Sequence, residues 1–197
     1  TLMRIICRLQ RPDAGEVLIE GQDVRQLDRR RLARTIAYLA QGAECHWPLS
    51  VERVVALGRL PHLSPWQRPG AEDARAVAEA MHEADVASLG GRPLDTLSGG
   101  ERARALLARA LAVEAPAILA DEPVAQLDSY HQLQIMEVFR RRAIAGAAVV
   151  VILHDLSLAA RFCDRLVLLC AGRSIATGAP DQVLAPTNLE TAYAIRA

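Results

Sequence analysis

Apolar positions change period several times along the chain, and each change marks an element. Leu2, Ile5, Ile6 and Leu9 recur at helical spacing, so residues 1–9 are predicted to form a helix that Pro12, Asp13 and Gly15 end. Residues 16–20 read as a short strand with Gly21-Gln22-Asp23 turning out of it. Residues 35–39 read as a second strand, closing at Gln41-Gly42. Two helical patterns follow over 51–60 and 71–89, separated by a loop over 61–70 that is rich in proline and aromatic residues. The second alternates charged with small apolar residues, as a partly exposed helix does.

Further on, residues 102–113 carry Leu106, Leu107, Ala110 and Leu111 at helical spacing. Residues 117–120 and 147–153 are continuous apolar runs without alternation, the pattern of strands buried on both faces of a parallel sheet. A helix over 132–145 between them completes a βαβ unit. Residues 166–170, the turn Ala171-Gly172-Arg173 and residues 174–177 predict a closing hairpin, followed by short helices. The expected fold class is α/β, with a mostly parallel sheet and an antiparallel β edge. Its core runs over 1–42 and 97–197, interrupted by an inserted helical sub-domain over 43–96.

Composition narrows the function more than the fold. The 197 residues are 51% apolar, as expected of a soluble globular chain, and no apolar run approaches the ~18 residues that span a bilayer. No secretory pattern opens the sequence. A formal net charge of zero argues against a general nucleic-acid binder. All 23 basic residues are arginine, so the sequence holds no P-loop lysine. Cys7, Cys45, Cys163 and Cys170 form no C-x-x-C pair and read as structural thiols of a reduced, cytosolic protein.

Candidate chemistry sits at the ends of the predicted strands. The run Ile118-Leu119-Ala120-Asp121-Glu122-Pro123 ends in two carboxylates, where open α/β sheets bind ligands. Neighbouring side chains on a strand point opposite ways, so one can face a metal and the other a water. A turn with a helix-capping acid is the alternative. In Leu97-Ser98-Gly99-Gly100-Glu101 the glycines let an anion approach the amino end of a helix, although such a run also serves as a plain cap. Gln41 can offer an oxygen to Mg²⁺ and an amide to water, and His154 can bond a phosphate oxygen. His46, His62, His82 and His131 lack metal-ligand spacing and read as surface or loop residues.

In this order and spacing the segments resemble the ATP-binding-cassette ATPases. Residues 97–101 are similar to the signature motif, 118–123 to Walker B, Gln41 to the Q-loop, Ala125-Gln126-Leu127-Asp128 to the D-loop and His154 to the H-switch. The resemblance implies a P-loop-NTPase-like, RecA-like core that uses ATP and Mg²⁺. Asp121 and Gln41 would serve Mg²⁺, Glu122 would be the general base and His154 would touch the γ-phosphate. Ser98, Gly99, Gly100 and Glu101 would close over ATP held by the opposite protomer of a homodimer, and Asp128 would link the two sites.

The run V-E-R-V-V-A-L-G-R-L-P-H over 51–62, above all G-R-x-P-H at 58–62, and Ala71-Glu72-Asp73 resemble importer ATPases for iron-siderophore, haem and cobalamin uptake. That resemblance implies a peripheral subunit on the cytoplasmic face of the plasma membrane, bound to integral-membrane permease subunits and served indirectly by a substrate-binding protein. The 41–69 region would meet the permease, with Trp47 and Trp66 either lining a groove or packing within the sub-domain.

Family members carry G-x-x-x-x-G-K-[ST] before the first helix, and here Thr1 matches the residue after it, joining the nucleotide-binding set. The chain is accordingly expected to be truncated at its amino end, inactive alone and of low stability. A cassette ATPase of DNA repair or translation fits less well, without coiled-coil arms, zinc modules or basic linkers. A non-catalytic pseudo-ATPase conflicts with the intact Gln41, Glu122 and His154.

Overall fold

The computed structural model describes residues 2–42, 48–125 and 127–193. The expectations for Thr1, Cys45, His46, Trp47 and Gln126 lie outside the described residues. The chain forms two compact units, Thr1–Ile152 and Leu153–Ala197.

The first unit is built on a parallel sheet of β3 (Ile36–Leu39), β4 (Ala117–Asp121) and β5 (Ala148–Ile152), in that spatial order. Leu39 pairs with Ala120, and Asp121 with Ile152, so the carboxyl ends of all three strands lie on one edge. One face is covered by α1 (Leu2–Ile6) and by a small hairpin, β1 (Leu18–Ile19) and β2 (Gln22–Asp23), and α2 (Arg29–Thr35), capped by Asp28, leads from the hairpin into β3. Met3, Val24, Leu27, Leu32, Ile36 and Leu119 make a buried cluster there, each side chain worth roughly 1.5–3 kcal/mol of apolar burial. Gln22 and Asp23 were expected to turn out of a lone strand, yet they form its return strand. Glu20 and Gly21 between them both have positive φ (51° and 77°), the backbone of the tight turn that matches strand twist.

β4, the central strand, is buried as its apolar run predicts. β5 is not, and Val150 is 48% exposed. The physical reason is position: β5 pairs with β4 on one side, and no strand pairs with its other edge among the described residues.

Between β3 and β4 the chain is helical. Ser50 caps α3 (Val51–Ala56), which passes directly into a 3₁₀ turn, Leu57–His62. Pro61 lacks the N–H that would continue an α-helix, so the expected helix over 51–60 changes form part-way. α4 (Ala71–Glu83) also ends earlier than its pattern suggests, because Asp85 takes a left-handed conformation (φ 54°) before a short turn at Ala87–Leu89. α5 (Gly99–Leu111) packs on both α3 and α4, with Val51, Val54, Val55, Ala76, Ala80 and Leu107 buried between them. α6 (Ser129–Ile144) completes the unit and crosses from β4 to β5.

The second unit contains α7 (Leu156–Phe162), an antiparallel hairpin of β6 (Leu166–Cys170) and β7 (Arg173–Gly178), α8 (Pro180–Val183) and α9 (Pro186–Tyr193). The hairpin is the one the sequence predicts, with a bulge between Leu168 and Leu169. α8 and α9 both pack on it. None of Cys7, Cys163 and Cys170 forms a disulfide. Among the described residues no helix is long and apolar enough to cross a membrane.

Candidate active site

Strand register brings the first candidates together. Tyr38 lies abreast of Leu119 and Leu39 abreast of Ala120 in the parallel β3–β4 ladder. Continued past the strand ends, the same register places Gln41 opposite Glu122, and the Gln41 amide Nε2 donates to Glu122 Oε2 at 2.7 Å. Tyr38 shares a sheet face with Leu119 and Asp121. Its hydroxyl donates to Asp121 Oδ2 at 3.3 Å. Burial first, and then the Asp121 charge, push the Tyr38 phenol above its ordinary pKa, so it stays a proton donor to that carboxylate. Sequence reasoning passed over Tyr38; its place one pleat before the Asp-bearing strand end was the available signal.

Asp121 is the last residue of β4, and Glu122 follows in a left-handed conformation (φ 49°). A non-glycine residue there costs about 1 kcal/mol or more, held by the surrounding structure. The capping alternative fails for both acids, because the next helix, α6, takes Asp128 as its N-cap.

The Ser98–Glu101 run starts α5 three residues earlier than the apolar pattern shows. Ser98 Oγ accepts the Glu101 N–H at 3.3 Å, and Glu101 Oε2 accepts the Ser98 N–H at 2.8 Å, a reciprocal capping box. Those Ser98 bonds, the backbone N–H foremost, hold the Glu101 carboxyl below its usual range, and Arg92 adds its charge 3.6 Å away. Gly99 and Gly100 occupy the first turn, whose N–H groups have no partner within the helix.

Gly100 is also a packing requirement. A Cβ at this position would sit 2.7 Å from Cδ2 of His131 and 2.8 Å from Cγ. His131 is therefore no bare surface residue as the sequence suggested: its side chain is 25% exposed and its ring lies against the signature-like helix. The same residue holds Asp128. The His131 N–H donates to Asp128 Oδ1 at 3.0 Å, and ring Nδ1 lies 2.8 Å from Oδ2. Both contacts hold the Asp128 carboxyl below its usual range, the backbone N–H first. An Asp at an N-cap with His three residues on was the signal in the sequence.

His154 belongs to the second unit, exposed in the bend that precedes α7. Asp155 beside it caps that helix, accepting the Ser157 and Leu158 N–H groups at 2.7 and 3.0 Å.

The G-R-L-P-H segment has a structural task. A Cβ on Gly58 would lie 2.3 Å from the Arg109 carbonyl oxygen, so only glycine lets the turn approach the end of α5. Arg59 is 4% exposed and donates to Asp73 Oδ1 at 3.0 Å, to the Ala112 carbonyl at 2.8 Å and to Glu114 Oε2 at 2.7 Å. His62 Nε2 lies 2.8 Å from the Val113 carbonyl. Carbonyls that a helix end leaves unpaired are thus taken up by one short segment. Trp66, in the loop beyond, is fully exposed and packs on nothing within the described chain.

Among the described residues no cluster of three His, Cys, Asp or Glu could hold a metal by itself. Asp121 and Gln41 offer a carboxylate and an amide oxygen, hard donors that suit an ion arriving with phosphates. Because its Nε2 donates to Glu122, Gln41 turns its oxygen away from that carboxylate.

A parallel sheet with paired acids at its carboxyl edge, an inserted run of helices and a glycine-rich helix start define a class. The ABC transporter family matches residues 1–125, and the chain belongs to it. The hemin import ATP-binding protein HmuV of Streptomyces coelicolor is 47% identical over 91% of this chain and 63% of its own length. The cobalamin import ATP-binding protein BtuD of Halobacterium salinarum is 44% identical over 100% of this chain and 49% of its own. The ferric enterobactin transport ATP-binding protein FepC of Escherichia coli is 36% identical over 100% and 73%. The chain thus spans about half to two thirds of the first of these curated relatives. Among solved structures, the dimeric bacterial ABC transporter cassette MJ0796 superposes with a TM-score of 0.79 at 28% identity, covering 91% of this chain and 79% of that one.

Proposed function

We propose that the protein is the ATP-hydrolysing subunit of an ABC importer that energises uptake of an iron chelate (siderophore or haem) or cobalamin. The observation that carries the catalytic part is the Gln41–Glu122 bond at the carboxyl edge of the parallel sheet. It supports a division of labour between the two adjacent acids. Asp121, held by Tyr38, and the Gln41 oxygen would hold Mg²⁺. Bound there, Mg²⁺ would neutralise charge on the phosphates. Glu122, oriented by the Gln41 amide, takes the proton from the attacking water, and His154 bonds the γ-phosphate. The N–H groups at Gly99 and Gly100, with the Ser98 hydroxyl, bond ATP held by a second copy of the chain. Glu101 supports them through the capping box, Asp128 stands between the two sites, and Thr1 completes the nucleotide-binding set.

The transport part rests on the three importer relatives and on the absence of a membrane-crossing helix among the described residues. The subunit works as a homodimer on the cytoplasmic face of the membrane, docked on permease subunits, with a substrate-binding protein delivering cargo. Residues 43–96 act as the helical sub-domain between the two parts of the core.

The test uses the complete protein with its permease in vesicles. ATP-dependent accumulation of a ferric chelate, haem or cobalamin is expected, and Glu122→Gln should abolish hydrolysis while nucleotide still binds. An intact hydrolysis rate in Glu122→Gln would remove the catalytic assignment. Hydrolysis without uptake of any of these cargoes would remove the transport assignment.

A further inference from the structure

We propose that His131 is a positioning residue that fixes the D-loop aspartate and the signature glycines of one subunit as a single body. The inference rests on the function proposed above and extends it to a residue that no motif marks. His131 touches both segments at once. Its backbone N–H and ring Nδ1 take the two oxygens of Asp128, at 3.0 and 2.8 Å, and so orient that carboxylate. The opposite side of the same ring, Cδ2 and Nε2, lies where a Gly100 Cβ would be, 2.7 and 2.9 Å away. Tyr130 meets the ring edge-on at 5.4 Å and restricts its rotation.

The consequence is geometric. α5 carries the donors that would reach ATP in the facing subunit, and α6 starts at the aspartate that stands between the two sites. Two helix starts that share one wedged imidazole cannot shift independently. Donors for a developing charge must be placed to within a fraction of an ångström to be effective, so a loose wedge lowers the rate of the chemical step. Nucleotide binding to a single subunit uses neither segment and is left unchanged.

Three substitutions separate the two contacts. The amide of His131→Asn occupies the place of ring Nδ1, keeping the Asp128 bond and the Cγ contact but losing the Nε2 side of the wedge against Gly100. That of His131→Gln occupies the place of Nε2, keeping bulk near Gly100 and losing the ring bond to Asp128 Oδ2. His131→Ala removes both ring contacts and leaves Asp128 only the backbone N–H. The complete protein is assayed for steady-state ATP hydrolysis, for binding of a fluorescent ATP analogue to the monomer, and for thermal melting.

The expected result is a kcat for His131→Ala lowered roughly tenfold or more, with analogue affinity within about twofold of wild type. His131→Asn and His131→Gln should fall between. A wild-type kcat in His131→Ala overturns the proposal. So does a loss of kcat matched by an equal loss of analogue binding or of folded protein in all three variants, which would mark a structural residue only. If wild-type protein hydrolyses no ATP, the functional reading above fails instead. The contact itself is then still tested by melting Gly100→Ala with and without His131→Ala. Relief of the Gly100→Ala destabilisation by the second change supports the wedge, and simple additivity overturns it.

Discussion

Replacing Arg59 with alanine removes a nearly buried guanidinium from three partners at once. The Ala112 carbonyl loses a charge-assisted donor, worth about 1.5–3 kcal/mol. Asp73, 8% exposed, loses its counter-ion, and a buried charge left alone costs about 3–5 kcal/mol. That cost is reduced because the Gly70 N–H still serves the other Asp73 oxygen at 2.9 Å. Glu114 is 38% exposed and adds little, about 0.5 kcal/mol at most. The terms overlap, so the net expectation is roughly 3–4 kcal/mol, or a melting point lower by roughly 6–16 °C for a chain of this size.

Circular dichroism melts of the wild type, Arg59→Ala and the double variant Arg59→Met/Asp73→Asn measure it. The double variant, which strands no buried charge, should recover at least half of the loss. Acid titration gives an independent arm. The Asp73 carboxyl is held below its ordinary value of 3.8, first by the Gly70 N–H and then by Arg59. A depressed folded-state pKa gives stability that is complete above the ordinary value and disappears as pH falls toward the depressed one. Wild type should therefore lose stability more steeply below pH 3.8 than Asp73→Asn does. A loss under about 1 kcal/mol in Arg59→Ala would refute the reasoning, since even the single buried carbonyl bond would then be worth nothing.

Other expectations follow from single contacts. Gly58→Ala places a methyl 2.3 Å from the Arg109 carbonyl and should cost about 1–3 kcal/mol in the same melts. Burial pushes the Cys7 thiol up to about 11, so its alkylation, followed by peptide mass spectrometry, should be slow at pH 8 and accelerate up to about that pH. Fast labelling of Cys7 at pH 8 would show that α1 leaves the sheet. In the complete protein, Glu122→Gln should lower hydrolysis by roughly 10²–10⁴-fold, the usual worth of a general base. Tyr38→Phe removes one donor to Asp121 and should raise the Mg²⁺ concentration for half-maximal activity, with little change in rate at saturating Mg²⁺.

The fold was legible where apolar runs are long. The central strand, the helix that crosses to β5 and the closing hairpin follow from periodicity and turn residues. Boundaries failed where polar residues do structural work. α5 was expected from Arg102 because Gly99 and Gly100 read as a turn, yet Ser98 and Glu101 form a box that carries the helix through both glycines. Val150 was expected to be buried, because an apolar run cannot tell a central strand from an edge one. In the site, strand-end position brought out Asp121 and Glu122, the family resemblance brought out Gln41, and parallel register makes Gln41 and Glu122 neighbours. His131 and Tyr38 escaped notice because their partners lie on other elements, and only packing shows which way a ring is turned.

α5 can also be viewed as a rod. Its carboxyl end is gripped by Gly58, Arg59 and His62, and its amino end closes on itself through Ser98 and Glu101. Thirteen residues at 1.5 Å each make it about 20 Å long. A tilt of about 5° imposed at the gripped end would move the far end by roughly 1.7 Å, and the His131 contact would carry the start of α6 with it. Leu57 and Leu60, exposed on the turn that does the gripping, are the handles through which such a tilt can be applied. Gly99 and Gly100 ride on the tip.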